Sequence, residues 1–202
     1  MTNPNLKRSF PKYSSLKNTL RFKPIVLSAK TRRLRKALTI EDLRAIAKKR
    51  TPRGPFDYTD GAAESESSLT RARDTYKNIE FVPNILRDVS HLNTGCTILG
   101  EKFDLPFGIA PTGFTRMMNA EGEIAGAKAA KKFGIPFVLS TLGTTSIEDV
   151  VQSAPEGRNW FQLYMWKDRD ASMALVERAR KSGVKNLVLT VDVPVAGDRK
   201  ST

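Results

Sequence analysis

The chain holds one cysteine and one histidine in 202 residues, has no acidic side chain before Glu41, and contains no apolar run approaching a membrane span. Each shortage excludes something. Cys96 has no partner cysteine, so no internal disulfide forms and nothing calls for an oxidising compartment. A buried, inert thiol is the expectation. His91 precedes the regular part of the chain and reads as structural or exposed, and no metal site is expected. Spanning a bilayer takes about 20 apolar residues, and the apolar stretch PIVLSA (24–29) is too short even for the core of a signal peptide. A cytoplasmic protein is expected, with a membrane surface within reach of its N-terminal arm.

The missing acids locate the charge. The formal net charge is +13, yet residues 1–53 hold 16 Lys and Arg against Glu41 and Asp42 alone, leaving 18 basic and 19 acidic residues for the rest. Basicity therefore belongs to an arm, residues 1–38, which is broken by Pro4, Pro11 and Pro24. Such an arm suits three settings: its own protein's surface, anionic lipid or an acidic partner, and a cleaved transit-type peptide. Nucleic acid is not expected, because no recognised binding motif or interleaved aromatics accompany the charge.

Residues 39–202 form the second region, and its pattern becomes regular after residue 107. TIEDLRAIAKKR signals a helix capped by Thr39, with Asp42 three residues on and Pro52 as the stop. FDYTDGAAESESS reads as an aromatic cluster running into a glycine turn, followed by a polar helix near SLTRARDTYKNI. Residues 81–106 read as irregular chain with short strands. Four apolar runs follow, FGIAP, PFVLST, NWFQLY and NLVLTVD, separated by the helical stretches AEGEIAGAKAAKKFG, SIEDVVQSA and DASMALVERARKSG, the last with Asp170 at its cap and Gly183 closing it. With Ile109, Val138, Gln162 and Leu189 as centres, the spacing is a βα repeat of a parallel sheet.

An open dinucleotide-binding sheet would carry G-x-G-x-x-G after its first strand, and IAPTGFTRMMNAEGE has no such cluster. Every run instead ends in small or polar groups: Pro111, Thr112 and Gly113; Ser140 and Thr141; Gln162 and Tyr164; Thr190 and Asp192. Polar groups at successive strand ends are how a (β/α)8 barrel builds its active face. Thr112, Ser140, Gln162 and Thr190 suit the edge of a flat heterocycle. Tyr164 and Arg199 suit a small carboxylate, which a guanidinium fork meets in two hydrogen bonds. Asp192 suits the orientation of a histidine base, although the chain offers none there.

Seven segments in order, FDYTDGAAESE, PNILRDVS, LPFGIAPTGF, EGEIAGAKAA, LSTLGTTSIEDV, WFQLYMWKDR and LTVDVPVAGDR, give the chain from about 39 to 199 its kinship. There it resembles the FMN-dependent 2-hydroxy-acid dehydrogenases and oxidases, the group of L-lactate dehydrogenase, glycolate oxidase and mandelate dehydrogenase. The resemblance implies a partial (β/α)8 barrel, its first four βα units preceded by an N-terminal helical segment and the basic arm. It also implies FMN as cofactor. Pro111, Thr112 and Gly113 would lie against the flavin through their backbone, and Ser140, Gln162 and Thr190 would hydrogen-bond it. Tyr58, Tyr164 and Arg199 would bind a small, lactate-like 2-hydroxy acid, and Asp192 would pair with the catalytic histidine. The plainer alternatives are a core aromatic for Tyr58, strand-end caps for Ser140 and Thr190, and a loop charge for Arg199.

The sequence departs from the family in two places: Asn119-Ala120 stands where many members have His-Pro, and Leu142 where a larger aromatic is common. The family is also about twice as long, and its second half supplies four strands, the histidine base, a lysine near the flavin and the phosphate-binding loops. The expectation is an incomplete, inactive half; the alternative is a non-catalytic half-barrel that forms a homo-oligomer or pairs with a complementing chain.

Overall fold

Thr39 starts the first helix that the sequence foresees. In the computed structural model, which describes residues 26–192 and 197–199, its hydroxyl accepts from the Asp42 N–H at 3.1 Å while Asp42 accepts from the Thr39 N–H at 3.0 Å. That reciprocal capping box satisfies two donors that a helix start otherwise leaves unpaired. The helix, α2, runs Ile40–Lys48. Part of the basic arm is helical too: α1 spans Ala29–Lys36 and is capped by the Ser28 hydroxyl. The chain divides between Arg50 and Thr51 into two compact units, so α1 and α2 belong to the first.

The second unit opens with a helix that takes in the aromatic cluster and ends before the glycine turn. Arg53–Asp60 forms α3, with Pro52 at its cap, and buries Phe56. Pro55 fits because the amides of a first turn have no partner inside the helix. Tyr58 therefore sits on a helix, in its last turn. The polar helix α4 covers Ser67–Lys77. The irregular stretch that follows contains one hairpin, β1 (Cys96–Ile98) against β2 (Glu101–Phe103), turned by Leu99 and Gly100 at φ of 52° and 80°. Two successive positive φ values match the twist of paired strands. Cys96 is half-buried, not buried as expected, because β1 pairs only with β2; its Sγ donates to the Leu105 carbonyl.

From residue 107 the βα alternation appears as read. The first run is reduced to a single parallel bridge, Ile109 to Phe137. Then come a 3-10 turn (Thr115–Met117), α5 (Gly122–Lys132), β3 (Phe137–Leu139), α6 (Ile147–Ser153), β4 (Asn159–Tyr164), α7 (Arg169–Lys181) and β5 (Leu187–Thr190). The strands lie side by side in the order β3-β4-β5, all parallel. Phe161 and Leu163 of β4 enter the hydrophobic core, with Phe137 and Leu139 of β3 and Ile147 and Val150 of α6. Gln162, between them, lies outside that cluster, as a period of two requires.

Helix ends explain the spacing. Asp168, not Asp170, caps α7: its side chain accepts from the Ala171 N–H at 3.0 Å, and Asp170 falls in the first turn. Both carboxylates sit at plausible offsets, and only the folded backbone selects between them. Gly134 and Gly183 close α5 and α7 at positive φ, with Ile135 N–H bonding the Ala130 carbonyl and Val184 N–H the Ala179 carbonyl. A side chain at Gly134 would also run into the Asp104 carboxylate. Gly134→Ala is expected to cost about 2 kcal/mol from backbone strain and crowding, read as a lower urea midpoint at unchanged slope.

Candidate active site

Three adjacent strands end in side chains that bond one another. The Ser140 hydroxyl, after β3, donates to the Gln162 carbonyl oxygen at 3.3 Å, and the Gln162 amide nitrogen donates to the Thr190 hydroxyl at 2.8 Å. Gln162 also accepts from the Thr141 N–H at 3.0 Å and is 1% exposed. The Ser140 hydroxyl in turn accepts from the Leu142 N–H at 3.1 Å. Parallel neighbours stand about 4.8 Å apart, so one hydroxyl or amide per strand makes a continuous polar row. Thr141 and Tyr164 join it: Thr141 Oγ1 donates to the Gln162 backbone carbonyl at 2.6 Å and accepts from the Tyr164 N–H at 3.0 Å.

The loop after the first run lies beside this row. Pro111 and Thr112 are exposed and Gly113 is half-buried. A Cβ at Gly113 would come within 3.0 Å of Leu142 Cβ, and Phe114 N–H donates to the Leu142 carbonyl at 3.0 Å. Phe114 then takes φ 54°, an unusual value for a side chain of its size. Glycine at 113 thus permits the close packing of the two loops that Phe114 fixes.

Glu123 is the site-supporting residue that sequence reasoning did not single out. It is 2% exposed, on the first turn of α5, and accepts from the Thr144 N–H at 2.7 Å, the Thr144 hydroxyl at 2.9 Å and the Thr145 hydroxyl at 2.8 Å. Burial alone would raise its carboxyl, but the hydrogen bonds from the Thr144 amide and the Thr145 hydroxyl outweigh it and hold the group at about 2. The loop that carries Ser140 and Leu142 is thereby tied to the helix behind it. The only signal in the sequence was the pair EGE and TTS, 21 residues apart.

Tyr58 and Arg199 meet although 141 residues separate them. An Arg199 terminal nitrogen donates to the carbonyls of Tyr58 and Gly61, and the guanidinium stacks 4.5 Å over the Tyr58 ring. Residues 198 and 199 also bond the 63–64 backbone, through an antiparallel bridge from Ala63 to Arg199 and the Glu64 N–H to the Asp198 carbonyl. Asp192 is exposed, two residues past β5, and His91 is exposed on the segment between α4 and β1. The site residues therefore fall into two sets: Ser140, Gln162, Thr190 and Tyr164 at the strand ends, and Tyr58 with Arg199.

The chain has relatives among known proteins. The family described as FMN-dependent dehydrogenase matches residues 47–202. The chain is 57% identical over 194 residues to the "Putative L-lactate dehydrogenase" of Mycobacterium tuberculosis, covering 96% of this chain and 47% of that protein. It is 40% identical over 162 residues to glycolate oxidase of Spinacia oleracea, covering 80% of this chain and 44% of the relative. A solved mutant of an active chimera of (S)-mandelate dehydrogenase superposes with a TM-score of 0.77 at 39% identity, covering 81% of this chain and 46% of that one. The chain spans about half the length of the curated relatives it matches.

Proposed function

The chain belongs to the FMN-dependent dehydrogenase family, and we propose that it is the first half of a (β/α)8 barrel that binds FMN and oxidises a small, lactate-like L-2-hydroxy acid to the 2-oxo acid. The observation that carries this reading is the row Ser140, Gln162 and Thr190 across three parallel strand ends. Gln162 spends one amide proton on Thr190 and keeps a second, while the Thr190 hydroxyl accepts from Gln162 and retains its own proton. Two adjacent donors suit the acceptor atoms of a flavin's pyrimidine edge. Pro111, Thr112 and Gly113 belong to the loop that packs on Leu142, two residues past Ser140 of this row. When bound, FMN supplies the acceptor for the hydride equivalent leaving the 2-hydroxy carbon.

Tyr58, Tyr164 and Arg199 take the substrate carboxylate and hydroxyl. The Tyr58 ring and two carbonyls fix the plane of the Arg199 guanidinium, the arrangement in which a carboxylate receives two parallel hydrogen bonds. Asp192 would orient the histidine that takes the hydroxyl proton. The one histidine of the sequence, His91, is exposed on the segment between α4 and β1. On this reading the 202 residues by themselves are expected to turn over no substrate.

Two preparations test this. The chain alone, mixed with FMN, L-lactate and an artificial electron acceptor, is expected to show no turnover; steady reduction of the acceptor would remove the inactive-half reading. Joined to the second half of the Mycobacterium tuberculosis relative, it is expected to bind FMN and be bleached by L-lactate. A folded, flavin-loaded chimera that no small L-2-hydroxy acid reduces would remove the substrate reading. One observation favours a second, non-catalytic reading, a half-barrel that pairs with a copy of itself or another chain: Leu187 and Leu189 of β5 are about half exposed and Val191 more so. Light scattering decides it, a defined dimer supporting the pairing.

A further inference from the structure

We propose that the first unit, α1 with α2, is a docking surface for an anionic lipid bilayer. Residues 26–50 hold nine Lys and Arg against Glu41 and Asp42. Five of the eight residues of α1 are basic: Lys30, Arg32, Arg33, Arg35 and Lys36. Asp42 is committed to the cap of α2, where it accepts from the Leu38 and Thr39 amides, and Glu41 is paired with Arg44 at 3.3 Å. The field of this unit is accordingly positive.

Charge alone would describe an ordinary solvated face. The second observation is apolar: Leu27 is 90% exposed, Leu38 88% and Ile40 78%, bracketing α1 at both ends. A basic helix flanked by bare aliphatic side chains has the two features that attach a protein to the interface of a charged membrane, counter-charge for the headgroups and apolar groups for the acyl boundary. A third lies between the helices, where Arg33, Lys49 and Arg50 surround a recess of about 310 Å³ over Ala45 and Ile46. A cationic rim on an apolar floor suits a phosphate headgroup with the start of its acyl chains. A nucleic acid would use the cations and leave the leucines in water, so lipid is the better match.

The test is co-sedimentation of the full chain with vesicles of phosphatidylcholine alone or with phosphatidylglycerol added. The chain is expected to favour the anionic vesicles by at least tenfold at low salt, with most of that preference lost near 0.5 M salt, where the screening length is only a few ångströms. Arg32→Glu, Arg33→Glu and Arg35→Glu combined should reduce partition by more than about tenfold, three reversed charges each opposing the surface potential. Leu27→Ser, Leu38→Ser and Ile40→Ser combined should keep low-salt attachment and lose it several-fold at physiological salt. All six positions are solvent-facing or lightly covered, and circular dichroism checks that the helices persist. Equal partition onto both vesicles, wild-type binding by the charge-reversed variant, wild-type binding by the serine variant at physiological salt, or displacement from anionic vesicles by duplex DNA at equal phosphate would overturn the proposal.

Discussion

Glu123→Ala is expected to destabilise the second unit by about 3 kcal/mol, because it orphans the Thr144 amide and two hydroxyls in a buried place. The acid limb of stability should change with it. The carboxyl titrates at about 2 in the folded chain against an ordinary value of 4.5. A depressed folded value means the stabilisation is complete above the unfolded value and is lost as pH falls from 4.5 toward 2. At 1.36 kcal/mol per unit the whole term is about 3 kcal/mol, of which about 2 kcal/mol is gone by pH 3. Urea midpoints at pH 7 and pH 3 check this: Glu123→Gln should be weaker at pH 7 yet lose clearly less on acidification. A glutamine variant with the wild-type acid slope would show that the loop anchor is not what titrates.

The second large effect is at Gln162. Leucine there keeps the volume and removes every polar group, so the Thr141 amide and the Thr190 and Ser140 hydroxyls lose their shared partner. A cost of about 3 kcal/mol is expected, since orphaned buried donors carry the desolvation penalty and the site is 1% exposed. Ser140→Ala, which removes one bond from the row and leaves the Leu142 amide, should cost about 1 kcal/mol. In the two-half chimera, Gln162→Leu should also weaken FMN at least tenfold while Tyr164→Phe leaves FMN binding near wild type. Flavin fluorescence titration separates these outcomes, and equal losses for both variants would contradict the assignment of Gln162 to the flavin and Tyr164 to the substrate.

Local signals were legible where they act over one helical turn or one strand. The Thr39 and Asp42 capping box, the glycine ends of the helical stretches at Gly134 and Gly183 and the apolar run NWFQLY are all short-range, and the structure has each of them as a cap, a helix end and a strand. Ambiguity began where two residues offered the same local chemistry, as with Asp168 and Asp170 before α7. It was greatest where the partner is remote. EGEIAGAK reads as a helix with an acidic first turn, and only the return of Thr144 and Thr145 makes Glu123 a buried acceptor. FDYTDG read as an aromatic cluster running into a glycine turn, whereas Phe56 gains burial when Arg53–Asp60 coils into a helix that ends before Gly61.

For this protein the sequence by itself determined the alternation of strands and helices, the polar ends of the strands, the segregation of positive charge before residue 54 and the family kinship. Each depends on residue type and spacing of a few positions, set by backbone periodicity, capping and hydrophobicity. Tertiary structure alone decided that Ser140, Gln162 and Thr190 form one row, that Arg199 lies on Tyr58, and that Glu123 is a carboxylate in a buried cage of amide and hydroxyl donors. Those contacts span 21 to 141 residues. They exist because parallel strands bring their C-terminal ends to one edge, where polar groups removed from water must find one another.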